Sequence, residues 1–137
     1  MIRKQITIFL QNEIGRLEEV TRLLGENNIN ISAMSIAEAS EFGVVRMILD
    51  DYEKALKILV ENNFSANLVD VLCFEIPDTP GSLHEALKSL ADASVNVSYM
   101  YGYSNHGIAP MIMKVSDIQK AVAVLKNYKE YMLYSFD

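Results

Sequence analysis

Residues 78–83 read Asp78-Thr79-Pro80-Gly81-Ser82-Leu83, between the apolar run VLCFEI (71–76) and the amphipathic run HEALKSLADA (84–93). The first run is strand-like and the second spaces its apolar residues as a helix does, with Pro-Gly marking the turn between them. The same arrangement stands 66 residues earlier, where Asn12-Glu13-Ile14-Gly15-Arg16-Leu17 separates QITIFL (5–10) from EEVTRLLGEN (18–27). A turn made twice in this way is a requirement of the fold, a binding site, or both.

Working outward from the two turns shows that the chain is a duplication. Under the same shift Asn28-Ile29-Asn30-Ile31-Ser32 falls on Ser94-Val95-Asn96-Val97-Ser98, Met34 on Met100, and Lys54-Ala55 on Lys120-Ala121. Between these anchors the match slips by two, Gly43 against Gly107 and Met47-Ile48 against Met111-Ile112, and such slips belong in loops. Two domains are expected, 1–70 and 71–137.

Periodicity gives the same elements in each half. The first half reads strand 5–10, helix 15–27, strand 29–36, a loop around Glu38–Phe42, strand 43–49, helix 51–62 with Asp50 or Asp51 as its cap, and a strand from 66. The second reads strand 71–76, helix 81–93, strands 95–103 and 108–115, helix 117–127 and strand 131–136. Each half is therefore β-α-β-β-α-β, the ferredoxin-like arrangement. The fold class is α+β, with both helices on one face of an antiparallel sheet of order 4-1-3-2.

Charge and composition remove several functions. With 18 acidic against 12 basic residues the chain carries −6, and its lysines and arginines form no run, which argues against nucleic acid. Half of the residues are hydrophobic, enough for a packed core. The opening MIRKQITIFL lacks the length and small-residue site of a signal peptide, and no apolar run approaches the roughly 20 residues that span a bilayer. The single Cys73 lies in an apolar run and suits a reducing compartment as a small buried residue. A cytoplasmic protein with no membrane partner is expected.

Fold alone does not give function. Phe9 and Phe74 do not make the paired aromatic platform of an RNA-recognition domain. The turns hold no cysteine pair for a metal chaperone, and Arg16 is replaced by Ser82 in the second turn, against a phosphate cradle of the acylphosphatase kind. No Ser-His-Asp or Cys-His set is evident, and His84 and His106 are too isolated for a metal site. No catalytic residue, metal or cofactor is expected.

At the turns and the strands that follow, the chain resembles the ACT-domain family of small regulatory modules that bind amino acids. Members show D-x-P-G-x-L or N-x-P-G-x-L between the first strand and first helix, then a second strand opening like INI. Here these are Asp78 to Leu83 followed by Val95-Asn96-Val97, and Asn12 to Leu17 followed by Ile29-Asn30-Ile31, with Ile14 where the proline would stand. The resemblance covers essentially the whole chain, as two tandem copies. It implies an allosteric sensor, most simply of an amino acid, acting on a separate enzyme.

The chemistry of the turn supports a ligand independently. A glycine ahead of a helix lets a ligand approach the backbone, and the free amides of the first turn suit a carboxylate. The ligand-binding candidates are Asn12, Gly15, Arg16, Leu17 and Asn30 in the first half, and Asp78, Pro80, Gly81, Ser82, Leu83 and Asn96 in the second. Asn12 and Asp78 would accept from an ammonium. The opposing reading makes Asn12 and Asp78 plain helix caps, puts Pro80 in the first helical turn, and uses Asn30 and Asn96 only to satisfy strand ends. A ligand-free interaction module is the alternative function.

No Gly, Pro or Ser spacer separates the halves at ANLVDVLCFEI. Pairing them through their second strands would ask the chain to cross about six strand spacings, roughly 29 Å, with little chain to do it. A homodimer, or larger, is therefore expected. Ile6, Ile8 and Leu10 should face the helices while Phe9, Val44 and Ile48 lie opposite, so something should cover the far face. Tyr99, Tyr101 and Tyr103 share one face and read as packing.

Overall fold

The computed structural model describes residues 2–126 and 132–133. Its elements are β1 (Ile2–Gln11), α1 (Arg16–Glu26), β2 (Ile31–Ala39), β3 (Phe42–Leu49), α2 (Tyr52–Glu61), β4 (Ser65–Pro77), α3 (Ser82–Asp92), β5 (Val97–Gly102), β6 (Ile108–Val115), α4 (Ile118–Lys126) and β7 (Met132–Leu133). The chain divides into two compact units, and the division falls inside β4, between Val69 and Asp70. One unit is Lys4–Val69; the other runs from Asp70 and takes in Ile2 and Arg3.

The first unit orders its strands β2-β3-β1-β4, and the second β5-β6-β4-β7. Numbered within its own unit, each is 2-3-1-4, the expected ferredoxin-like order. The pairings β1 with β3, β2 with β3, β4 with β6 and β5 with β6 are all antiparallel.

Alternation in the strands decides where each core sits. Ile6, Ile8 and Leu10 of β1 and Val45, Met47 and Leu49 of β3 are buried in one cluster with Val20 and Leu24 of α1 and Ala55 and Leu59 of α2. The second unit repeats this with Leu72, Phe74 and Ile76 against Ala86, Leu90, Ala121 and Leu125. Both helices of each unit therefore cover one face of its sheet, as the period-two pattern requires. On the opposite face Ile48, Val71, Cys73 and Ile112 are buried as well, as are the polar Gln5, Thr7 and Glu75, whereas Phe9 stays 47% exposed. Gln5 Nε2 donates to Thr7 Oγ1 at 3.1 Å, which satisfies a buried amide.

Burial pushes the Cys73 thiol up to about 11, against the pull of Arg3. The folded state then holds a proton that the unfolded thiol loses near its ordinary value, so this term falls away as pH rises towards 11. We expect stability to drop between pH 9 and 11 by up to about 1.4 kcal/mol per pH unit more than in Cys73→Val. Parallel pH profiles of urea unfolding check this; identical slopes would remove Cys73 as the cause.

Several boundaries differ from the sequence reading, each for a local reason. The strands expected over 29–36 and 95–103 begin at Ile31 and Val97 and end at Ala39 and Gly102. Ile29 and Val95 instead close the preceding helices: Ile29 N–H donates to Leu24 O and Val95 N–H to Leu90 O, both at 2.9 Å. Asn28 and Ser94, just before them, hold φ of 57° and 59°. This is the helix stop in which a left-handed residue is followed by an apolar one that packs back on the helix. The loop expected around Glu38–Phe42 contracts to Ser40-Glu41, and the strands read as 66–70 and 71–76 are one strand, β4. Of the strand expected over 131–136, Met132–Leu133 form β7 and the rest lies outside the described residues.

Asp51 rather than Asp50 caps α2, accepting from Lys54 N at 3.1 Å, and Asp117 does the same for Lys120 at 3.0 Å. Asp50 Oδ1 instead accepts from Asn30 N at 3.0 Å, and Ser116 Oγ from Asn96 N at 2.9 Å. The duplication thus extends to the hydrogen bonds that hold each second strand in place.

Candidate functional site

Helices α1 and α3 begin alike. Their N-cap residues are Gly15 (φ 87°, ψ −8°) and Gly81 (φ 90°, ψ −13°), and neither helix receives a side-chain cap. The left-handed conformation is why both positions are glycine, since an L side chain there is strained. Open space lies where a Cβ would stand at either position.

Two amides of each first turn are used within the protein: Arg16 N–H donates to Glu13 O and Glu19 N–H to Gly15 O, with Ser82 to Thr79 and Glu85 to Gly81 in the other unit. The amides of Leu17 and Glu18, and of Leu83 and His84, meet no acceptor among the described residues. Each turn thus presents two N–H groups at the positive end of a helix dipole.

A second segment lies beside each turn. Asn12 N–H donates to Glu41 O at 2.9 Å, tying the first turn to the β2–β3 hairpin. Asp78 N–H donates to Gly107 O at 3.0 Å, tying the second to the β5–β6 hairpin. The hairpin residues Ser40, His106 and Gly107 all have positive φ, so both connections are tight turns.

The side chains differ between the copies. Asn12 has no side-chain hydrogen bond among the described residues, whereas Ser104 Oγ donates to Asp78 Oδ2. Thr79 and Ser82 hydroxyls share a hydrogen bond of 2.6 Å, and Ser82 is buried. Arg16, in the place of Ser82, donates to Glu19 Oε2 at 2.8 Å and lies 4.9 Å over the Phe64 ring. Two hollows flank the first turn. One of about 490 Å³ is lined by Gln11, Asn12, Glu13, Ser40, Glu41 and Phe42, and one of about 280 Å³ by Asn12, Ile36, Ala37, Glu38 and Gly43.

The candidate residues therefore separate. Asn12, Gly15 and Arg16 stand together at the loop end of the first unit, and Asp78, Pro80, Gly81 and Ser82 at that of the second. Pro80 precedes the N-cap Gly81 instead of entering the first helical turn. Leu17 and Leu83 pack against their cores. Asn30 and Asn96 fall elsewhere: β3 (Phe42–Leu49) and β6 (Ile108–Val115) each run eight residues from the loop end to the partners Asp50 and Ser116, roughly 25 Å at ~3.3 Å per residue. The hairpin residues Glu41 and Ser104 were not among the candidates. Only the antiparallel register brings them to the turns, and a hairpin expected between the second and third strands is the signal that locates them. Among the described residues no group of three or more His, Cys, Asp or Glu side chains could hold a metal ion, and no helix is long and apolar enough to cross a membrane.

The family described as an ACT domain pair matches residues 1–134. No curated protein sequence matches the chain. Among solved structures, protein BT0572 from Bacteroides thetaiotaomicron is 41% identical, with a TM-score of 0.92, over 98% of this chain and 92% of that one. The regulatory subunit of aspartate kinase from Thermus thermophilus, in its ligand-free form, is 14% identical with a TM-score of 0.67, over 92% of this chain and 91% of that one. Its counterpart from Thermus flavus is 17% identical with the same TM-score, over 92% of each chain. At those identities the two Thermus proteins share the fold and no more. Two βαββαβ units, two glycine turns in register and a match over nearly the full length agree: the chain belongs to the family of paired ACT domains.

Proposed function

We propose that this protein is a regulatory module that binds a small molecule, most simply an amino acid, and acts on a separate enzyme. The observation that carries the reading is the pair of unpartnered amides at each glycine turn, Leu17 with Glu18 and Leu83 with His84. They suit the ligand's carboxylate, and Asn12 or Asp78 its ammonium. That proteins named as regulatory subunits of aspartate kinase use this fold is in keeping with a role without catalysis.

Self-association belongs to the same proposal. Among the described residues each second strand pairs on one side only, with β3 or β6. Of the two edges β5, Val97–Gly102, contains no charged residue, so it has none of the charge by which edges avoid one another. A homodimer through β5 is expected; a single monomeric species in sedimentation at micromolar concentration would exclude it.

The test of ligand binding is thermal unfolding with each of the twenty amino acids at millimolar concentration. A ligand at 100 times its dissociation constant stabilises by ~2.7 kcal/mol. One clear responder is expected, with the response lost in Gly15→Val or Gly81→Val according to which turn binds. No response to any amino acid would favour the ligand-free interaction module.

A further inference from the structure

The two copies act as controls for one another, because what both carry serves the fold and what one carries serves something else. By that criterion the loop end of the first unit is unusual. Ile14 is fully exposed, and Phe9, Phe42 and Ile36 are 47%, 51% and 53% exposed. By strand register their counterparts in the second copy are Pro80, Glu75, Ile108 and Gly102, none of them an exposed large hydrophobic residue. Exposed apolar surface gathered in one place marks an interaction site.

Register joins these residues into a surface. Phe9 pairs with Val44 and Val44 with Ala37, while Gln11 pairs with Phe42 and Phe42 with Ala39. On the helix-free face, therefore, two aromatic rings stand beside small alanines at the rim. On the other face of the same edge Ile36 lies over Gly43. The free edge of β2 runs between the two faces.

Charge identifies what the surface fits. Glu13 and Glu41 line the larger hollow with Phe42, and Glu38 lines the smaller with Ile36. All three are exposed, and none has an ion-pair or hydrogen-bond partner for its carboxylate among the described residues. The second copy places Thr79, Gly107 and Ser104 at the positions of Glu13, Glu41 and Glu38, so this acidic rim too is peculiar to the first unit.

We infer that this end of the first unit docks an extended segment of another protein in which basic and apolar residues alternate. Such a segment adds to the edge of β2, and its alternate side chains fall on the two faces. Apolar residues meet Phe9, Phe42 and Ile36, and lysine or arginine meets Glu13, Glu38 and Glu41. A second copy of this chain fits less well, since it would bring the same carboxylates and a charge of −6 against their like.

The test uses a fluorescein-labelled peptide of alternating lysine and valine, with a glutamine–valine peptide as its neutral match, in anisotropy titrations with the full chain. The lysine peptide is expected to bind, more weakly as salt rises, and the neutral one to bind at least about tenfold more weakly. The triple change Glu13→Lys, Glu38→Lys, Glu41→Lys is expected to weaken the lysine peptide by at least about tenfold, and Phe42→Ser to weaken both peptides. The triple change Glu53→Lys, Glu61→Lys, Asp92→Lys alters net charge equally on helix surfaces and should leave binding within about twofold. Equal loss in the two triple variants would mean general attraction to an acidic protein and would overturn the proposal. So would displacement of the peptide by free lysine at equal concentration, which would mark a small-cation site, or dissociation of a dimer by Phe42→Ser, which would make the occupant a second copy. Peptide binding that persists at a saturating concentration of the amino acid that responds in the thermal screen separates this surface from the amino-acid site.

Discussion

Phe74→Ala is expected to lower the unfolding free energy by about 3–5 kcal/mol, among the largest single losses available to this chain. Phe74 is completely buried, facing α3 and α4 among Leu72, Ile76, Leu90, Met113 and Leu125. Its backbone pairs with Met111 on one side and Leu133 on the other, so the ring sits at the centre of the second unit's sheet. Removing it leaves a cavity beneath two helices whose own contacts fix its walls, and little can collapse into it. Urea unfolding followed by circular dichroism measures the change. A loss below about 1 kcal/mol would mean that the core repacks and that the burial described here overstates its rigidity.

Gly102→Val is the second large effect, with a different origin. A Cβ at Gly102 would stand 2.4 Å from Met111 Sδ and 2.5 Å from Pro110 O. The methionine can move, but the carbonyl belongs to the neighbouring strand. The substitution is expected to displace the end of β5 from β6 and to lower stability by about 1–3 kcal/mol or more. Faster hydrogen exchange of the β6 amides that face β5 would accompany it. Gly43→Ala provides the contrast: its nearest neighbour is Ile36 Cδ1 at 3.5 Å, ordinary contact, and a change within about 0.5 kcal/mol is expected. If the two glycines behave alike, the close approach at Gly102 is not the cause.

Most of the fold was legible in the sequence because the chain states it twice. A chance alternation in one half does not recur in register in the other, so Ile6-Ile8-Leu10 and Leu72-Phe74-Ile76 vouch for one another as inward-facing strands. What misled was apolar character with a different job. Ile29 and Val95 are buried and β-branched, yet they end helices, and their role depends on a left-handed residue before them that composition does not mark. The halves join without a Gly, Pro or Ser spacer, and β4 passes through the join unbroken.

The candidate site was legible where it rests on backbone geometry. Gly15 and Gly81 announce a left-handed turn ahead of a helix, and the free amides follow from where a helix begins. The far side of each site was not legible, because Glu41 and Ser104 reach the turns only through strand register. Asn30 and Asn96 matched across the copies as clearly as the glycines did, but they serve the opposite end of the sheet. Repetition identifies what both copies need without saying where in the fold it is needed.

The absence of a side-chain cap on α1 has a consequence for how such a chain can change over generations. A helix started by a capping serine or aspartate ties that residue's identity to stability, and most replacements are then lost to misfolding. Here the start of α1 is made by Gly15 alone, and the side chains of Asn12, Glu13 and Ile14 are exposed with no bond to the helix they precede. These three positions are free to mutate with the scaffold unharmed. After a duplication, one copy can then acquire a new specificity while the other keeps the old, and the loop end of the first unit is a stretch where the copies differ.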